Sequence, residues 1–178
     1  MTWGDLAFVN RNSEEGLGMG KFVVGIGNIL LRDEGIGCHV VHALEEIPLP
    51  DVKIMDGGTC PDVLPLLNDV DKLVIVDAVK GGGTPGQIYR FHLEDISLEQ
   101  KPLLSLHDMS LIDSLKLMQV RHNVGDAVII GVEPKEINCG LELSPELQER
   151  IPQIIDAILS ELNTSPKLSL EERNKVIV

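Results

Sequence analysis

The chain has 178 residues, 43% of them hydrophobic, enough for one respectable core and short for two comparable domains. Its 28 acidic and 15 basic side chains give a formal charge of -13, which opposes sequence-independent binding to phosphate backbones and removes nucleic acid as an expected partner. No apolar run approaches the roughly 20 residues that cross a bilayer, and no basic start followed by an apolar stretch marks an export signal, so a cytoplasmic protein without membrane contact is expected.

Residues 1–20, with Gly16, Gly18 and Gly20 in quick succession, read as a flexible leader; residues 21–162 read as a single catalytic domain and 163–178 as a polar tail. The β-branched run Phe22 to Ile26 predicts a buried parallel strand stopping at Gly27-Asn28. Ile36, Val40, Val41 and Leu44 line one face of a helix that Pro48 and Pro50 end. Val52 to Met55 predicts a second strand ending in Asp56-Gly57-Gly58, with a helix from about Pro61. Lys72 to Val76 predicts a third strand, ending at Asp77-Ala78. The stretch Gly81 to Gly86 behind it leaves no room for a helix, so the strand Ile88 to Phe91 is expected to run antiparallel to the others. A helix from Asp108 to Val120, a strand from Ala127 to Val132 and one long amphipathic helix from Ser144-Pro145 to about Leu162 complete the pattern. The expected fold is α/β: a three-layer sandwich around a mixed, mostly parallel five-stranded sheet with one antiparallel strand.

In such sheets the loops after the parallel strands gather at one rim, where side chains distant in sequence meet. Asp33 and Glu34 follow the first strand, Asp56 the second and Asp77 the third, while His107 and Asp108 precede the third helix. Asp33 is best explained by the positive end of the helix behind it, and for Glu34 that explanation and a functional one are close. Asp56 suits a turn as well as a site. Asp77 ends an apolar strand, where a carboxylate is desolvated unless it caps something or faces a site, which favours function. His107 stands near a helix start, with a Ser105 to Asp108 capping box in reach, where the neutral, metal-binding imidazole is favoured. Glu34, Asp77 and His107 give two oxygens and a nitrogen, a set compatible with nickel or zinc but short of a complete tetrahedral site. His39, His42, His92 and His122 are assigned no role, and the widely spaced Cys38, Cys60 and Cys139 are expected to be buried free thiols.

Gly25 and Gly27 raise a dinucleotide-binding alternative, with Asp56 in the place of a ribose-binding acid. Against it, Leu30 stands where a third glycine belongs and the loop carries Asp33 and Glu34, which repel a pyrophosphate. The Gly81 to Gly86 loop lacks a Gly-Lys-Ser/Thr ending, and no Gly-x-Ser-x-Gly elbow marks a serine nucleophile.

The run from Gly25 through Asn28, Leu30, Asp33 and Glu34 to Gly37 resembles the opening signature of the nickel-iron hydrogenase maturation endopeptidases. The resemblance continues through Asp56-Gly57-Gly58-Thr59, Val76-Asp77-Ala78, Ser105-Leu106-His107-Asp108 and Gly131-Val132-Glu133-Pro134, covering about residues 21 to 162. It implies an endopeptidase that removes the C-terminal extension of a hydrogenase large-subunit precursor once nickel is inserted. It also implies that Glu34, Asp77 and His107 contact nickel, which the substrate carries, with no cofactor held permanently by the protease. Asp77, Glu34 and Asp56 are then the candidate catalytic groups, and whether the enzyme is aspartic-type or nickel-dependent stays open. The precursor is the expected partner and the protease is expected to be a monomer. A non-catalytic chaperone binding nickel or precursor, and a dinucleotide-binding oxidoreductase, are the alternatives.

Overall fold

A computed structural model of the chain describes residues 20–59, 64, 67, 70–92, 114–115 and 124–163. Five strands, β1 (Gly20–Ile26), β2 (Val52–Gly58), β3 (Val70–Ala78), β4 (Ile88–His92) and β5 (Val124–Val132), form one sheet in the order β2-β1-β3-β5-β4. The pairs β1/β2, β1/β3 and β3/β5 are parallel, and β4 runs antiparallel to β5, Ile88 lying opposite Val132. The antiparallel edge follows from the short connection: residues 79–87 hold a turn, and a parallel return needs a longer crossover.

Strand alternation puts apolar side chains on both faces of the sheet, as a buried, mostly parallel sheet requires. Val23, Val74, Val76, Val128, Ile130 and Val132 face helices α1 (Ile36–Glu45) and α3 (Ile151–Glu161), packing on Val40, Val41, Leu44, Ile154, Ile155 and Ile158. Phe22, Val24, Leu73, Ile75 and Ile129 face the other way, against Leu64, Leu67 and Leu115. Each such side chain, fully buried, contributes about 1.5–3 kcal/mol of transfer free energy. On one flank Lys72 Nζ bridges Asp126 and Glu161, the latter at 3.1 Å, and Arg90 Nε meets Glu161 at 2.8 Å, tying α3 to β3, β5 and the edge strand β4.

The strands run beyond the apolar stretches that predict them, because ladder pairing continues through polar residues such as Lys72, Asp77 and Asp126: β3 spans Val70–Ala78 and β5 Val124–Val132. The single long helix expected from Ser144 to Leu162 is instead two, α2 (Pro145–Gln148) and α3. Pro152 cannot donate to the Gln148 carbonyl and its ring would clash there, so the first helix closes with a bond from the Arg150 N–H to the Leu147 carbonyl (3.0 Å) before the second begins. Of the expected leader (residues 1–20) only Gly20 is described, and it is the first residue of β1 rather than part of a leader; of the expected tail (163–178) only Asn163 is described. The rest of both, Cys60, and all of the helices from Pro61 and from Asp108 save residues 64, 67, 114 and 115 lie outside the described residues. Ser114 and Leu115 are helical.

Of the cysteines expected to be buried, Cys38 is, but Cys139 is exposed, on the loop after β5. Among the described residues no helix is long and apolar enough to cross a membrane.

Candidate active site at the carboxyl rim of the sheet

Two glycines fix how the first loop and helix meet the sheet. A Cβ on Gly37 would fall on the carbonyl oxygens of Ile26 and Val76, so only the bare backbone lets the start of α1 rest on the ends of β1 and β3. Gly27 has φ 146°, and its missing side chain leaves room for the Glu34 carbonyl. The 3-10 turn Arg32–Gly35 consequently lies against β3, bringing Glu34 to the rim where Asp77 stands one residue before the end of that strand. Glu34 is partly exposed, with its Oε2 atom buried. Asp77 is only 5% exposed, and its Oδ1 accepts the Ala78 N–H at 2.8 Å.

Strand parity separates the third carboxylate from these two. Asp56 pairs in register with Gly25 and lies on the α1 face, whereas Asp77 shares the opposite face with Leu73 and Ile75. Asp56 Oδ1 accepts the Gly58 N–H at 2.8 Å, and its Oδ2 meets His42 Nε2 at 3.0 Å, giving His42 a structural partner that sequence reasoning did not assign. His107, Ser105 and Asp108 lie outside the described residues. Among the described residues no three His, Cys, Asp or Glu side chains converge as a metal-binding group.

Cys38 is buried at the same rim, its thiol directed at the Gly27 carbonyl. Burial first, and the hydrogen bond to Asp56 second, push its pKa up to about 12, so it stays a protonated thiol at neutral pH and not a nucleophile. Burial likewise holds His39 below the usual histidine range, although its hydrogen bond to the Leu141 backbone works the other way.

Two carboxylates organise the rim, and sequence reasoning gave neither this task. Asp33 is fully buried. It accepts the N–H groups of Lys135 (2.9 Å), Glu136 (3.0 Å) and Ser144 (2.7 Å) and the Ser144 hydroxyl (2.9 Å), anchoring the loop after β5 to the loop after β1. The expectation that Asp33 is structural holds, but the bonds it makes reach across the fold rather than to its own helix. Glu133, 7% exposed, accepts the N–H of Gly81 (2.8 Å), the N–H of Gly83 (3.2 Å) and the Tyr89 hydroxyl (2.6 Å) through one oxygen. Burial alone would raise its pKa, but these donors outweigh burial and hold it below the usual carboxylate range. The glycine-rich loop is thus an anion nest filled by the protein's own carboxylate. The only sequence signal for either role was the presence of both acids in the quoted motifs.

The architecture is that of the hydrogenase maturation endopeptidases. It superposes on the hydrogenase maturating endopeptidase HybD of Escherichia coli with a TM-score of 0.71 at 30% identity, covering 82% of this chain and 93% of that one. It superposes on the NiFe hydrogenase maturation protease HybD of Thermococcus kodakarensis with a TM-score of 0.68 at 29% identity, covering 80% and 98%. The chain belongs to the hydrogenase maturation protease family, whose model matches residues 38–161. It is also 33% identical over 150 residues to the Hydrogenase 2 maturation protease of Escherichia coli, spanning 80% of this chain and 90% of that relative.

Proposed function

We propose that this chain is an endopeptidase that removes the C-terminal extension of a nickel-iron hydrogenase large-subunit precursor, and that it recognises nickel carried by that substrate through Glu34, Asp77 and His107. The observation that carries the reading is the buried Asp77 carboxylate near the end of the central strand, beside the turn that brings Glu34 to the same rim. Nickel is part of the substrate, so two or three donors from the protease suffice to orient it. The precursor supplies the remaining ligands, and only a loaded precursor brings its scissile bond into place. Asp77 is the better candidate to activate water: Asp56 is engaged by Gly58 and His42 on the other face of the sheet. A carboxylate-based hydrolysis fits the state of Cys38, whose thiol is held protonated. A pyrophosphate-binding role is disfavoured because the Glu34 carbonyl fills the space above Gly27.

The test is mass spectrometry of purified precursor mixed with the protein. Nickel-loaded precursor should lose a C-terminal peptide while nickel-free precursor stays intact; equal cleavage of both refutes nickel recognition. Glu34→Gln and Asp77→Asn should each slow processing by about 100-fold or more, the scale of a lost acid-base group, with the fold retained. A chaperone would instead bind the precursor without changing its mass.

A further inference from the structure

Among the described residues the exposed large apolar side chains are Ile29 (42% exposed), Leu30 (60%), Ile137 (38%) and Leu141 (62%). All four lie on two loops, the one after β1 that carries Glu34 and the one after β5. These loops are stitched together. The Arg32 N–H donates to the Gly140 carbonyl (2.9 Å), the Gly140 N–H to the Leu30 carbonyl (3.0 Å), and Asp33 holds residues 135, 136 and 144 from below. The turn bearing Ile29 and Leu30 is itself fixed, since Asn28 accepts the Leu30 N–H through its side chain (3.0 Å) and the Leu31 N–H through its carbonyl (2.9 Å). Apolar side chains presented outward on braced backbone lose little freedom on binding.

The surroundings are acidic. Arg32 is paired with Glu136 (3.4 Å) and Lys135 with Glu146 (2.7 Å), and residues 28–35 and 133–146 together carry six acidic side chains against two basic ones, in a chain of formal charge -13. A second copy would set this acidic rim against itself, whereas an apolar segment with basic neighbours complements it.

We propose that Ile29, Leu30, Ile137 and Leu141 form the surface on which the precursor docks, and that they receive an apolar segment of it flanked by lysine or arginine. This deepens the endopeptidase reading and rests on it for the identity of the partner. Docking beside Glu34 holds the precursor while its nickel and scissile bond reach the rim.

The experiment compares the full-length protein with its Leu30→Ser/Leu141→Ser double variant, and with Ile29→Ser/Ile137→Ser as a second pair. Binding of nickel-loaded precursor is measured by calorimetry and cleavage by mass spectrometry; thermal unfolding verifies that the exposed substitutions leave the fold intact. The variants are expected to raise Kd and KM by about tenfold or more, as loss of central apolar anchors does, with kcat within about twofold of the parent. Raising salt from about 50 to about 300 mM should weaken binding by the parent, as screening of a charged rim requires. Unchanged Kd and KM in folded variants overturns the proposal. So does a parent that sediments as a dimer while the variants are monomers, which would make the surface a self-interface. A parent that binds in the manner predicted but never shortens the precursor leaves docking standing and refutes the endopeptidase reading; a parent that does not bind overturns both.

Discussion

Replacing Asp33 by Asn isolates the contribution of one buried charge to the architecture of the rim. Asp33 Oδ2 takes three donors, from Lys135, Glu136 and Ser144 Oγ, and Oδ1 takes the Ser144 N–H. In the variant the best orientation keeps the amide oxygen at the three-donor position and turns the NH2 group against the Ser144 N–H. Three charge-assisted bonds become neutral, at about 1 kcal/mol each, and a buried donor is left facing another, at about 1–3 kcal/mol. The expected loss is therefore about 4–6 kcal/mol, a large part of the roughly 5–15 kcal/mol that holds a typical domain together. Urea unfolding at neutral pH, followed by circular dichroism, measures it directly. Ser144→Ala, which removes only the hydroxyl bond, should lose about 1–2 kcal/mol in the same assay. A loss below about 1 kcal/mol for Asp33→Asn would show that the loop after β5 keeps its place without this carboxylate, and the account of the rim as two loops joined at Asp33 would be wrong.

Three further outcomes follow from the same geometry. Gly37→Ala places a methyl group on the Ile26 and Val76 carbonyls, so it should destabilise the fold by about 3 kcal/mol or more, visible as a lower melting temperature. Cys38→Ala should leave precursor cleavage within about twofold of the parent, because a thiol with a pKa of about 12 is not the nucleophile; abolition of cleavage in a folded variant would contradict the carboxylate reading. Glu133 is held below its ordinary pKa of 4.5, so the unfolded chain takes up its proton at higher pH than the native one does. The stability it contributes is present above about pH 4.5 and lost as pH falls below that, and Glu133→Gln should flatten this acid limb in melts run from about pH 7 to pH 3.

The sheet was readable because its determinants are local: an apolar β-branched run, a terminating glycine or aspartate, and a connection at Gly81 to Gly86 too short for a helix. The positions of Glu34 and Asp77 at one rim follow from the rule that parallel strands deliver their loops to the same end. Asp56 obeys that rule yet points to the other face, a distinction set by strand register, which the alternation of Ile54 and Met55 carries only once the pairing partner is known. The break between α2 and α3 lay in plain view at Pro152, but the apolar period runs through it and hides it. Asp33 was the hardest to read: its donors lie more than a hundred residues away, and no pattern near Asp33 announces them.

The carboxylate seated in the glycine loop has a consequence for what the protein ignores. Small backbone cradles of this kind are where nucleotides and free phosphate settle in many enzymes, and here Glu133 serves as a built-in plug that also fastens the outermost strand through Tyr89. Free anions of that kind meet an occupied seat backed by negative charge, and the residue that occupies it also holds the edge of the sheet together.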